Sequence, residues 1–315
     1  MNKIHAFIFL FLLSLNIYGQ QDPMFTRYMF ISDMMYNPAS TANHGKTRLM
    51  AFYRNQWAGL EGAPVTTGIS VELPLSQLKS GLGFNVFQDR IGFESHTAMY
   101  TNYAYRIPLS DQFTLSAGIK AGLSVFSTDF TDASTPEPIQ NDPVYNGNNQ
   151  TLIPRVGGGI FLSSSKTYFG LAIPYFAASI PNASFTFAQE EAYLSRHYYF
   201  TTGHVFDLAG SDFQLKPSIF LKYHEAAPLQ ADFSAQIWYK DVISFGLSYR
   251  TGDAVSAMTD IALTKDMILS YAYDYTYSQF RKTGNGAHEI ILVYQWQKKD
   301  VKIPSIHKFS TLPRF

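Results

Sequence analysis

Few stretches of this chain carry residue types that do chemistry. Ser163-Ser164-Ser165-Lys166 matches the S-x-x-K pattern. In serine acyl-enzymes that spacing works on a helix, which brings the lysine over the serine. Here it is expected on a tight turn between strands, where the two side chains part. Gly157-Gly158-Gly159 has the glycine density of a phosphate loop, but no helical pattern follows it. Small residues at the crowded face of a strand explain it better. His288 precedes Glu289 directly, so on a strand the two point to opposite faces and cannot share a metal. His204 and Asp207 part in the same way. Asn149-Gln-Thr151 and Asn182-Ala-Ser184 match the glycosylation sequon, a pattern frequent by chance. No cysteine is present, which removes disulfides, thiolate metal sites and a cysteine nucleophile. The expectation is a protein with no catalytic residue, metal or cofactor. A Ser-His-Asp/Glu hydrolase is the enzyme class that the residue types leave open.

The elements that carry these residues follow from a period of two. In YAYDYTYSQF, Tyr271, Tyr273, Tyr275 and Tyr277 alternate with Ala272, Asp274, Thr276 and Ser278. Such a segment is a β-strand with one aromatic and one polar face. Ile119, Leu123 and Phe113 oppose Lys120, Ser116 and Ser124; Phe233 and Ile237 oppose Asp232 and Gln236; Phe245 and Leu247 oppose Ser244 and Arg250. The pattern predicts fourteen strands, near 46–55, 64–73, 80–89, 95–107, 112–126, 153–163, 167–175, 193–207, 212–224, 228–240, 242–251, 254–264, 267–278 and 287–298. Many have the length of tilted spanning strands, about 9–11 residues, rather than the 5–6 usual in soluble proteins.

Composition agrees. Charged residues are 15%, against roughly 25% in soluble domains. Aromatic residues are 16%. The formal net charge is zero, which gives no basic field for nucleic acid. Lys3 followed by AFIFLFLLSL (6–15) and a polar turn at Gly19 reads as a secretory signal peptide over 1–19. The connections are unequal: 108–112, 163–166, 209–212, 240–241 and 264–266 are short, while 127–152, 176–192 and 279–286 are long and fall at the other ends of the strands. That asymmetry, with an even strand count, belongs to outer-membrane barrels. The fold expected is all-β: a transmembrane antiparallel up-and-down β-barrel of about fourteen strands over 46–298, with both termini periplasmic. The inward charges Lys120, Lys216, Lys222, Asp232, Arg250, Asp260 and Asp274 are expected to form solvated pairs in the lumen.

Several blocks go beyond periodicity. QQDPMFTRYMF (20–30), MMYNPAS (34–40), YRNQWAGLEGAP (53–64), SGLGFNVFQDRIG (80–92), YAYRIPL (103–109), LSAGIKAGL (115–123), PSIFLKY (217–223), GLSYR (246–250), YAYDYT (271–276), HEIILVY (288–294) and LPRF (312–315) stand in order along the chain. Together they resemble the PorP/SprF family of type IX secretion system outer-membrane proteins over essentially the whole mature length. The resemblance implies a barrel without enzymatic activity that serves the secretion and gliding-motility machinery in the bacterial outer membrane. It implies partners: a large secreted surface protein with a type-B C-terminal sorting domain, periplasmic secretion-ring components or a peptidoglycan-binding lipoprotein, and outer-membrane lipid.

Surfaces for such partners are sought at both rims. Residues 20–45 mix Phe25, Tyr28, Met34, Met35 and Tyr36 with polar residues. They either plug the lumen or dock on a periplasmic partner; a fourteen-strand lumen needs filling, which favours the plug. The tail 299–315, ending in Arg314 and Phe315, is either a disordered end or a docking peptide. On the outer rim, Trp57 and Leu60 serve a partner or the interfacial girdle. Asp129, Asp132, Glu137 and Asp142 give the 127–152 loop four acids and no base. That loop is a solvated variable loop, part of a client-binding face, or a weak Ca²⁺ site. A general or substrate-specific porin is the competing function, and filling of the lumen by 20–45 discriminates against it.

Overall fold

The computed structural model describes residues 33–129, 149–177, 196–208, 212–224, 227–277 and 284–296. Fifteen strands follow in chain order: β1 (Thr47–Asn55), β2 (Val65–Leu75), β3 (Ser80–Ile91), β4 (Glu94–Pro108), β5 (Thr114–Thr128), β6 (Asn149–Ser163), β7 (Thr167–Ala177), β8 (His197–His204), β9 (Phe206–Asp207), β10 (Phe213–His224), β11 (Ala227–Tyr239), β12 (Ile243–Arg250), β13 (Ala254–Ala262), β14 (Met267–Thr276) and β15 (Ala287–Trp296). Both β8 and the two-residue β9 pair with β10, so they share one place in the wall. The wall therefore has fourteen staves, and every neighbouring pair is antiparallel. The first stave closes on the last, with Met50 opposite Val293 and Arg54 opposite Glu289. Closure leaves no edge, which is what a sheet needs when lipid rather than water surrounds it.

Alternation sorts the side chains. Ile119, Leu123, Phe245, Leu247, Tyr271 and Tyr275 lie exposed on the outside, while Ser116, Lys120, Ser124, Ser244, Ser248 and Asp274 are buried on the inside. The outer face is thus apolar through its middle, as lipid demands. Tyr294 and Trp296 meet at a tilt at one end of β15, and Tyr249 stacks on Tyr277 at the other end of the wall. Aromatic residues at both ends match the interfacial preference of amphipathic rings.

The two rims differ. Residues 76–79, 109–113, 164–166 and 240–242 turn at the rim where β1 begins. Residues 56–64 and 277–286 connect strands at the opposite rim, as do 129–148 and 178–196, which fall largely outside the described residues. S-x-x-K lies on one of the tight turns. The Ser164 hydroxyl accepts from the Thr167 backbone N–H at 3.0 Å, and Lys166 pairs with Asp207 at 2.7 Å in the open.

The inner face is layered. Buried charges line it near both rims. Between them lies an apolar layer that includes Met50, Phe52, Tyr100, Phe220 and Ile291. Inward rings are accommodated by glycines on neighbouring strands: a β-carbon on Gly203 would meet the Tyr168 ring at 2.6 Å, and one on Gly122 would meet Tyr100 at 2.5 Å. The outward face makes a direct prediction. Leu247→Arg, which places a cation on the lipid side of β12, should destabilise the barrel by about 2–4 kcal/mol, whereas Leu60→Arg on the rim should cost less than about 1 kcal/mol. Denaturant unfolding in lipid vesicles measures both.

Candidate functional site

The site builds from the residues just before β1. Two single 3₁₀ turns, Asp33–Met35 and Pro38–Ser40, are joined by Tyr36 and Asn37. The Asn37 side chain caps the second turn by accepting from the Ala39 backbone N–H at 3.0 Å, and Pro38 supplies the fixed φ favoured at a first helical position. Residues 34–42 are buried, and they are buried inside the barrel against lumen-facing side chains. The Asn37 amide donates to the Ile160 carbonyl on β6 at 3.0 Å. Arg106 on β4 donates to the Thr41 carbonyl at 2.6 Å, the Ala42 N–H donates to Glu72 on β2 at 2.6 Å, and Lys120 on β5 donates to the Met35 carbonyl. Tyr36 meets Tyr199 and Phe220 edge-on, each with ring centroids 5.5 Å apart. This segment sits inside the barrel near the rim where β1 begins.

The wall is shaped to receive it. A β-carbon on Gly83 would fall on the Met34 sulfur, one on Gly118 on the Ala39 backbone, and one on Gly159 on the Asn37 side-chain oxygen. Glycine on these three strands lets backbone approach backbone. Burial pushes the Asp33 carboxyl up to about 7, against the Lys216 ammonium and with the help of Glu72. Burial, reinforced by Arg48, Lys216, Lys46 and Arg106, holds His44 well below its ordinary value.

The lumen near the long-loop rim is closed by charge. Arg54 donates to Asp274 at 2.8 Å and to Glu289 at 3.1 Å. Arg250 lies 3.6 Å from the same Asp274 oxygen and donates to Asp232 at 2.7 Å; Lys222 stands 3.8 Å from Asp232. Glu289, Arg54, Asp274, Arg250, Asp232 and Lys222 thus form one chain of alternating sign over six strands. Asp260 is held separately, by Gln236 at 2.7 Å, Ser244 at 2.5 Å and Ser270 at 2.6 Å. The sequence led us to expect solvated pairs. The structure corrects this: Arg250, Asp232, Asp260 and Asp274 are each no more than 2% exposed. At that burial each charge depends on its protein partners.

The rim carries three of the residues singled out for partners. Trp57 and Leu60 sit on the β1–β2 connection, with Leu60 exposed and its N–H donating to the Trp57 carbonyl at 3.1 Å. Trp57 holds a left-handed backbone, φ 53°. The connection is fastened to its neighbours: Ala58 donates to Gly286 at 2.8 Å, and Gly92 donates to Gly62 at 2.9 Å. Asp129 follows β5, its N–H donating to the Phe93 carbonyl at 2.9 Å. Asp132, Glu137, Asp142, Phe25, Tyr28, Arg314 and Phe315 lie outside the described residues. His288 faces outward against the Tyr271 hydroxyl at 2.7 Å, while Glu289 faces inward to Arg54.

Three substitutions test this geometry. Asp274→Ala strips Arg54 and Arg250 of the carboxylate they share and should cost about 3 kcal/mol in denaturant unfolding. Lys240→Ala, on an exposed turn, should cost less than about 0.5 kcal/mol. Gly83→Val should force Met34 aside and cost about 1–3 kcal/mol in the same unfolding measurement.

The barrel is similar in fold to solved structures. Among solved structures, the chain is similar to the toluene transporter TbuX of Ralstonia pickettii, at 10% identity with a TM-score of 0.51, covering 84% of this chain and 92% of that one. It is also similar to the outer membrane protein Omp33 of Acinetobacter baumannii, at 9% identity with a TM-score of 0.44, over 80% of this chain and 99% of that one. At such identities the likeness is one of fold. No curated protein sequence matches. The family model described as type IX secretion system membrane protein PorP/SprF matches residues 17–294. With the barrel, its apolar outer face and this match together, the chain belongs to the PorP/SprF family of type IX secretion membrane proteins and is a β-barrel of the outer membrane.

Proposed function

We propose that this barrel helps to secrete a partner surface protein and to hold it at the cell surface, and that it does so without catalysis. The partner is a secreted protein with a type-B C-terminal sorting domain. The long-loop rim faces outward in this reading, with Trp57, Leu60 and the acids Asp129, Asp132, Glu137 and Asp142 as the client-facing residues. Phe25, Tyr28, Arg314 and Phe315 face the periplasm and contact secretion-ring components or a peptidoglycan-binding lipoprotein. Residues 1–19 act as the signal peptide that exports the chain.

The observation that carries this reading is the filled lumen. A diffusive porin keeps a water-filled passage, which leaves its inward polar side chains accessible. Here Arg48, Lys120, Asp232, Arg250 and Glu289 are buried on the inner wall. Rings and methionines occupy the middle. Such a barrel presents rims, and the ties among residues 58, 62, 92 and 286 hold the outer rim in a fixed shape before any partner arrives. A fixed rim lowers the ordering cost of docking.

The test is capture of the mature barrel, tagged in an outer loop, from its native outer membrane, with mass spectrometry of what accompanies it. The reading predicts a large secreted protein with a C-terminal sorting domain, together with periplasmic secretion components. Recovery of the barrel alone, combined with steady ion conductance of the unmodified chain, would contradict it and leave a porin.

A further inference from the structure

We infer that the tip of the β3–β4 hairpin, built on Ile91 and Phe93 with Leu60 on the adjoining connection, is a docking surface of the outer rim. It takes a protein face with an apolar centre and a basic border. The inference rests on the reading of the long-loop rim as the client-facing one, and it names the anchors and the chemistry of the partner.

The first observation is exposed apolar surface away from lipid. Ile91, Phe93 and Leu60 are 44%, 48% and 39% exposed. Apolar side chains face lipid on β3 and β4 as far as Phe84 and Met99. Above them the outward positions of these strands turn polar. Gln88 and Arg90 flank the buried Asp89, and Thr97 precedes the buried Ala98, so all three point outward. The Gln88 amide donates to the Thr97 hydroxyl at 3.4 Å across that face. Arg90 stands opposite Ser95, and Ser95 stands opposite Ser127. A cation and an amide mark the end of the hydrocarbon band. The hairpin tip lies beyond this polar belt, so its apolar residues stand in water. An exposed apolar patch with a polar border marks a site of protein contact.

The second observation is a fixed shape. β3 and β4 turn through Gly92 and Phe93 alone, and Gly92 takes the left-handed φ of 56° that so tight a turn needs. The Gly92 N–H donates to the Gly62 carbonyl at 2.9 Å on one side, and the Asp129 N–H donates to the Phe93 carbonyl at 2.9 Å on the other. Gly62, itself at φ 72°, is two residues from Leu60. The apolar residues therefore sit on backbone that is already ordered, which lowers the cost of docking. A ring held on such a turn is suited to act as an anchor.

The third observation is the charge of the border. Glu61, Glu94 and Asp129 are exposed around the patch, with Arg90 as the base beside them. A partner face with lysines or arginines around an apolar centre complements this surface, and one with an acidic border is repelled.

Two measurements on the full chain test the inference. In vesicles that contain brominated lipid, Phe93→Trp is compared with Tyr249→Trp from the outer girdle. The tryptophan introduced at position 93 should be quenched by acrylamide in the water and spared by bromine, whereas the one at position 249 should be quenched by bromine. In cells, photoreactive benzoylphenylalanine replaces Ile91 or Phe93, and light links it to what it touches. Both positions should label the same protein, on an apolar surface bordered by lysine or arginine. Ile91→Ser with Phe93→Ser should lower the recovery of that protein about tenfold or more, while Leu78→Ser on the opposite rim should leave it unchanged. Gel mobility of the unheated barrel checks that each variant is folded. Bromine quenching at position 93, labelling of lipid alone, no protein labelled from either position, or a labelled surface with an acidic border would each overturn the inference. Capture of a sorting-domain protein by a barrel that labels nothing from positions 91 and 93 contradicts this inference alone. Labelling of the expected kind of surface on a protein without a sorting domain supports it and contradicts the secretion reading alone.

Discussion

A closed wall of fourteen staves encloses more space than its own side chains fill, and that constraint orders the rest of the molecule. Lipid outside forces the strands to alternate and to close. Alternation then sends every second side chain inward, polar ones included. The inward polar groups need partners, and a dry lumen cannot lend them water. The chain answers with three layers of filling: its own residues 33–44 near one rim, rings and methionines in the middle, and alternating charges toward the other rim. Glycines recur wherever a ring or a backbone must come close to the wall, as at Gly83, Gly118 and Gly203.

The charged layer is cross-strand by construction. Register places Arg54 opposite Glu289, and Asp232 opposite Arg250. Each pair is a neighbouring-strand pair, and Asp274 links the two by reaching both arginines. Replacing such a network with apolar residues need not weaken a protein, so its presence argues for specificity of register more than for raw stability. A one-residue slip of any of these strands would turn its charge to lipid.

Much of the wall was legible from period two alone. The segment expected near 112–126 is β5 at Thr114–Thr128, and the segment expected near 267–278 is β14 at Met267–Thr276. The misfits have physical causes. β6 begins at Asn149 because Asn149 and Gln150 still pair with Thr128 and Ser127, although both are polar and carry no alternating signal. The strand expected over 193–207 starts at His197 and breaks at Val205, whose N–H bonds to the Lys166 carbonyl of the neighbouring turn at 2.8 Å, and β9 follows as a separate piece. Inward aromatics such as Phe87, opposite Gly68, interrupt the polar set and mark the filled middle, but the partner of each ring lies on another strand and its sequence distance hides it. The same holds for the charges. A lone Arg250 looks ready for solvent until the fold brings Asp232 and Asp274 to it. The seat was half visible. LSAGIKAGL and MMYNPAS stood out as separate family blocks, and Gly118 beside Ala39 shows that they are two halves of one contact.

The account turns on residues 33–44 filling the lumen, and the most direct measurement is thiol accessibility at Thr41, whose side chain is fully buried there. Thr41→Cys would be compared with Leu60→Cys, which lies exposed on the rim, in the folded barrel treated with a water-soluble maleimide. The account predicts that the cysteine at position 60 reacts at once and that the one at position 41 stays unlabelled until the protein is unfolded. Equal and rapid labelling of both in the folded barrel would contradict it, because the segment would then stand in water.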